Sequence, residues 1–364
     1  MPSLYMMWRG SYDQGDNDRR LFWSAFDGRG VSPRWAPPVV LGDRASLAGP
    51  ALAVYWDKLY AAWRGTGDDQ RLFWATMMLR EGLPQWSQQF SLDDRASFTG
   101  PALAVFRDKL YMAWRGIETD HRLYWATFDG NANIPQWSPQ CVLDDRASLN
   151  SPSLAVFQDK LYMAWRGTID DSTLYWATFD GNSPSLPCAQ QWSPQYRKDD
   201  RGSGEGPALV VFHNQLCMFW RGIETDTTSN QHLYFSTFDG QPDWSEQKLV
   251  GPLKSFRRPT LAAFRNQFYI AHVGTLSEQP GVPDPPPGTV EIDLTFTTFK
   301  DGNPETPILP RLRVGGTSVA SPSMTVFPEV TNSLRLFLLR HGFDPNRGTR
   351  QAGIGSLRDV MALV

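Results

Sequence analysis

The stretch Gly100-Pro101-Ala102-Leu103-Ala104-Val105-Phe106, followed by Asp108-Lys109-Leu110-Tyr111-Met112-Ala113-Trp114-Arg115-Gly116, recurs almost verbatim 51 residues on, at 151–167. The same unit stands at 49–65 and 206–222, with worn copies at 258–274 and 321–342. Residues 4–10 repeat its second half without the first. Its Trp-Arg-Gly anchor falls at Trp8, Trp63, Trp114, Trp165 and Trp220, while His272 and Arg340 hold the equivalent place in the last two copies. That makes seven units at a period near 51 residues.

Each unit contains four short runs of β-branched and aromatic residues, bounded by Asp-Lys, Asp-Gly, Asp-Asp-Arg and Gly-Pro. In the third unit they are Pro-Ala-Leu-Ala-Val-Phe, Lys-Leu-Tyr-Met-Ala-Trp, Leu-Tyr-Trp-Ala-Thr-Phe, and a fourth opening at Trp137-Ser138-Pro139-Gln140. None has the length or spacing of an amphipathic helix. Four strands per repeat of this size predict an all-β fold, a seven-bladed β-propeller of four-stranded antiparallel blades, as one domain over residues 1–364. Of the 15 tryptophans all but Trp56 fall on repeat positions, which assigns most of them to the core. Propellers close by pairing the two chain ends in one blade, and Val360-Met361-Ala362-Leu363-Val364 is a candidate closing strand.

Composition narrows the function. With 35 basic and 38 acidic residues the net charge is −3, which offers no footprint for nucleic acid or an anionic membrane. No apolar run approaches a membrane span, and the N-terminus lacks a signal-peptide pattern, so a soluble protein is expected, cytoplasmic in preference to one exported by a route the sequence does not show. Cys141, Cys188 and Cys217, odd in number and widely spaced, fit neither a disulfide framework nor a zinc cluster. The Asp-Asp pairs are followed by Arg or sit in short loops, so neither metal nor cofactor is expected. Sialidase boxes, nucleophile elbows, P-loops and EF-hand loops are absent from the sequence.

In an antiparallel meander, the loop after Trp-Arg-Gly and the loop after the fourth strand lie on one face, termed the upper. The Asp-Lys hairpin and the Asp-Gly turn lie on the lower. Lower turns are stereotyped. Upper loops vary (Asp68-Asp69, Glu118-Thr119-Asp120-His121, Asp170-Asp171, Glu224-Thr225-Asp226), which places function there. The candidate ligand residues are Trp63/Arg64, Trp114/Arg115, Trp165/Arg166 and Trp220/Arg221. An indole can stack on a sugar's C–H face while Arg and Asp take the hydroxyls. Alternatively, each Arg ties down carboxylates of an Asp-Asp-Arg loop, a role within the fold.

The order Lys-Leu-Tyr-Met-Ala-Trp-Arg-Gly, Asp120-His121-Arg122-Leu123-Tyr124-Trp125-Ala126-Thr127-Phe128-Asp129-Gly130, Trp137-Ser138-Pro139-Gln140 resembles the repeats of β-propeller lectins. The similarity is to the seven-bladed Photorhabdus-type lectins and, more loosely, to fucose-specific fungal lectins. It covers units two to five closely and implies fucose-type sugars bound between blades, with a glycan or other small molecule as partner. A rival reading comes from fungal lectin-like propellers that act as pericyclases in hetero-Diels–Alder chemistry. It would use the divergent units, with His272, Arg340 and His341 as catalytic residues and the Pro-rich stretch 280–287 as rim. A protein-interaction platform is the third class.

Overall fold

A computed structural model describes residues 2–328 except 11, 14–15, 29–33, 133–135, 224–230, 241–242, 276–291, 300–302, 307–311 and 319. The described residues form six blades, each built on four antiparallel strands. Blade three shows the pattern: Ala102–Phe106 innermost, then Lys109–Arg115, Arg122–Phe128, and Cys141–Ala147 outermost. Blade two begins at Ala51–Tyr55, blade four at Ser153–Phe157, blade five at Ala208–Phe212 and blade six at Thr260–Phe264.

Among the described residues the count is six where seven were expected, and the closure accounts for the difference. Blade one takes Ser323–Phe327 as its innermost strand, paired antiparallel with Ser3–Arg9 through Leu4↔Val326 and Met6↔Met324. The copy starting at Ser321 and the copy at residues 4–10 are therefore two parts of one blade. Pairing chain segments from opposite ends removes an exposed strand edge. Neighbouring innermost strands are stitched around the axis: Leu52 N donates to Ser323 Oγ and Met324 N to Thr260 Oγ1, each at 3.0 Å. The anticipated closing strand at 360–364 lies outside the described residues.

Alternating side chains of one strand pack on two different neighbours, as a stack of blades requires. Leu110, Met112 and Trp114 join Ala51, Ala53 and Tyr60 of blade two. Tyr111 and Ala113 join Leu161, Met163 and Trp165 of blade four. Within the blades, Trp114 stacks on Tyr124 at 5.9 Å and Trp165 on Tyr175 at 5.9 Å. The first hairpins turn on residue pairs with positive φ, such as Arg107 (45°) and Asp108 (59°), the backbone of a two-residue primed turn.

Three further expectations are revised. The fourth strand starts after the Trp-Ser segment, not at it; Trp137 makes an isolated bridge to Phe128. Asp-Asp-Arg is then part of that strand and not an upper loop. Leu123 pairs with Leu143 while Arg122 pairs with Ala147, so Asp144-Asp145-Arg146 forms a bulge with both acids out and the arginine in. Cys141 and Cys188 form a disulfide, Cα–Cα 6.0 Å, because the longer connection in blade four brings its Cys188–Gln190 turn against the outer strand of blade three. Such a bond is characteristic of oxidising surroundings. No helix among the described residues is long and apolar enough to cross a membrane.

Candidate functional site

The Trp-Arg pairs proposed from sequence lie inside the blade stack. Trp63, Trp114, Trp165 and Trp220 are at most 1% exposed, so protein covers the indole faces that a sugar would need. One neighbour of three of these four rings is an arginine from the Asp-Asp-Arg bulge (Gly-Asp-Arg in blade one) of the preceding blade. The Cζ of Arg44 lies 6.0 Å from the Trp63 ring, Arg146 6.0 Å from Trp165, and Arg201 5.9 Å from Trp220. The same guanidinium reaches the carbonyl after the next blade's Trp-Ser tryptophan: Arg146 Nη2 donates to Ser193 O and Arg201 Nη2 to Ser245 O, both at 2.5 Å. Arg44 and Arg95 make the same contact with Ser87 O and Ser138 O. This buried arginine is a latch between blades.

Arg64, Arg115, Arg166 and Arg221 are also buried. Their anticipated pairing with loop carboxylates gives way to backbone contacts at three of the four. Arg64 Nη1 donates to Phe98 O at 2.9 Å, Arg115 Nη2 to Glu118 O at 2.7 Å, and Arg166 Nη2 to Thr168 O at 3.2 Å. The strand ending in Arg221 accepts from Gly204 N at 3.2 Å. Loop carboxylates instead pair with exposed arginines of the third strands, Asp69 with Arg71 and Asp120 with Arg122, each at 2.9 Å. The Arg122 hydrogen bond, aided by Tyr124, holds the Asp120 carboxyl down at about 2 against the cost of burial.

His272 is fully buried in the second strand of blade six. Arg340 and His341 lie outside the described residues, as does the 280–287 stretch. Among the described residues no cluster of His, Cys, Asp and Glu could hold a metal ion.

What does open on the upper face is a basin of about 740 Å³ on the propeller axis. Six connections from an outermost strand to the next innermost strand surround it, each with the sequence Ser-x-x-x-Pro, beginning at Ser46, Ser97, Ser148, Ser203, Ser255 and Ser318. The serines are sealed, and their Oγ atoms tie the connection down: Ser97 Oγ donates to Arg115 O at 2.8 Å and Ser148 Oγ to Asn150 O at 2.9 Å. Between Ser and Pro the side chains differ from blade to blade. Leu47, Phe98 and Leu149 give an apolar arc, and Phe98 is 50% exposed. Asn150, Glu205, Arg257 and Arg258 give a polar arc, and Arg9 joins the lining next to Leu47, donating from Nη1 to Leu47 O at 3.4 Å.

Glu205 is held from two sides, accepting from Arg257 Nη1 at 3.0 Å and from Asn150 Nδ2 at 3.1 Å. Arg258 sits where the basin narrows into an axial channel and donates through Nη1 to Pro152 O at 2.9 Å. Sequence reasoning passed over these residues because they occupy the short, unconserved-looking gap between a repeated Ser and a repeated Pro. The signal was there: in an otherwise uniform repeat, this gap alternates between Leu-Ala-Gly, Phe-Thr-Gly, Leu-Asn-Ser, Gly-Glu-Gly and Phe-Arg-Arg.

No family model matches the chain, and no curated protein matches it. Among solved structures, AofleA from Arthrobotrys oligospora is similar at a TM-score of 0.54 and 10% identity, over 89% of this chain and 88% of that one. A triple arginine-to-alanine mutant of AofleA matches at the same TM-score, over 86% and 83%. The exo-β-1,3-galactanase of Phanerochaete chrysosporium with galactose matches at 0.45 and 11% identity, over 64% of this chain and 57% of the galactanase. The likeness is one of fold, a β-propeller, and AofleA carries it.

Proposed function

We propose that this chain is a lectin-like propeller that binds one carbohydrate-class ligand in the axial basin of its upper face. The observation that carries the reading is the basin's two-sided lining: a half-exposed phenyl ring and two leucines on one arc, and Asn150, Glu205, Arg257 and Arg258 on the other. A flat apolar face against sugar C–H groups, with convergent hydrogen-bonding groups opposite, is the usual composition of a sugar site. The repeat's resemblance to propeller lectins supports the ligand class, with fucose-type sugars among the first to test.

This reading changes the valency implied by the repeat. Sites built on Trp63/Arg64, Trp114/Arg115, Trp165/Arg166 and Trp220/Arg221 would be several and equivalent; the burial of those residues supports a role within the scaffold instead. The basin is single and asymmetric. Calorimetric titration with a panel of monosaccharides tests it: one site per chain is expected, and Phe98→Ala should weaken binding about tenfold. Several equivalent sites, or full binding by Phe98→Ala, would overturn the axial assignment.

A single-site pericyclase would also need one asymmetric pocket, and the basin meets that need. His272, the catalytic candidate of that reading, is buried in blade six and is not among the described lining residues, which favours the carbohydrate reading.

A further inference from the structure

The residue preceding the repeated proline is Gly49, Gly100, Ser151, Gly206, Arg258 and Ser321 around the ring. Crowding explains the small ones. A Cβ on Gly49 would come within 2.1 Å of Ser321 O, one on Gly100 within 2.1 Å of Gly49 O, and one on Gly206 within 2.3 Å of Ser151 O. Against that requirement, blade six places an arginine at the axis. Its side chain lines both the basin floor and the channel beneath.

Among the described residues, Glu205 is the one carboxylate in the basin's lining. Both Glu205 oxygens are already engaged, by Arg257 and Asn150. Arg258 has no carboxylate within ion-pair distance among the described residues. Its contacts are Nη1 to Pro152 O at 2.9 Å and to Ser151 O at 3.5 Å. A guanidinium carries five N–H donors in a planar fork, so Nε and Nη2 remain for a ligand. Burial, opposed in part by Glu205, lowers its pKa to about 10, which leaves it a cation at neutral pH that is short of solvation.

We propose that the basin selects an anionic ligand, a sugar acid whose carboxylate is received by Arg258 while its ring lies against Phe98. A planar carboxylate matches the guanidinium fork and supplies the missing counter-charge. The low-dielectric walls of a cleft focus the field of such a cation on an incoming anion. The sugar part of this inference rests on the carbohydrate reading above; the anion part rests on Arg258 and its contacts.

The test is calorimetric titration of the full chain with D-glucuronate, D-galacturonate and N-acetylneuraminate, against D-glucose, D-galactose, L-fucose and inorganic phosphate. At least one acid should bind about tenfold or more tighter than every neutral sugar, and the preference should shrink at high salt. Arg258→Met should remove the preference, bringing every acid to the affinity of the neutral sugars with the same variant. If that variant does not fold, the salt dependence of the unaltered chain decides. Equal affinity for acidic and neutral sugars would overturn the inference and leave the carbohydrate reading standing. Binding of phosphate with no binding of any sugar would sustain the anion site and overturn the carbohydrate reading. No binding of any probe would overturn both.

Discussion

Removing one inter-blade latch measures how much the buried arginine of Asp-Asp-Arg holds. Arg146 is the clearest case: its side chain is 2% exposed, while that of its neighbour Asp145 is 59% exposed, with Nε–Oδ1 at 3.3 Å. The guanidinium donates to Ser193 O across the blade boundary at 2.5 Å and lies 6.0 Å from the Trp165 ring. Arg146→Ala forfeits a charge-assisted hydrogen bond to a part-buried carbonyl, about 1.5–3 kcal/mol net. Lost cation–π attraction adds about 1 kcal/mol, and the vacated volume adds a cavity cost. Relief of the guanidinium's desolvation, the cause of its lowered pKa, offsets part of this. The expected net loss is about 3 kcal/mol. Arg146→Met keeps the stem and should lose about 1–2 kcal/mol. Asp145→Asn, on the solvent side, should lose less than about 1 kcal/mol. Urea unfolding followed by tryptophan fluorescence gives the three values, with circular dichroism confirming the native sheet. A loss below about 0.5 kcal/mol for Arg146→Ala, or a larger one for Asp145→Asn, would refute the latch.

Three other outcomes follow from single interactions. Replacing Cys141 and Cys188 by serine should cost about 4 kcal/mol of unfolding free energy on the chain-entropy relation for a separation of 47 residues; an unchanged urea midpoint would show that the bridge does not form. Cys217 is buried and its thiol is pushed up to about 12, so a thiol reagent should find nothing in the native chain and one group per chain after unreduced denaturation; rapid native labelling would contradict its burial. Asp120 titrates at about 2 when folded against an ordinary 3.8, so its contribution is complete above pH 4 and lost as pH falls through 2. Asp120→Asn should therefore be about 1 kcal/mol less stable at pH 6, after screening at this part-exposed site, and equal to the parent near pH 2; a gap that persists at pH 2 would refute the assignment.

The repeat alone determined the strand content, the four-stranded unit and the burial of most tryptophans, because alternation and turn chemistry are local and recur in every copy. Blade count escaped it: residues 4–10 and 321–327 look like two partial units in the chain, and pairing Leu4 with Val326 makes them one. Asp-Asp-Arg has the composition of a loop, yet a bulge against Leu123 and Arg122 turns its arginine inward, which depends on the partner strand's register. The disulfide likewise depends on a connection of blade four folding against blade three. Trp114 and Arg115 carry the residue types of a sugar site, and only packing shows that the indole meets Tyr124 and the guanidinium a backbone carbonyl. Phe98, Asn150, Glu205, Arg257 and Arg258 are spread over more than 150 residues of sequence and say nothing as neighbours. Closing the ring gathers the six Ser-x-x-x-Pro connections at the axis, and a site assembled by rotational closure exists only once the last strand has paired with the first.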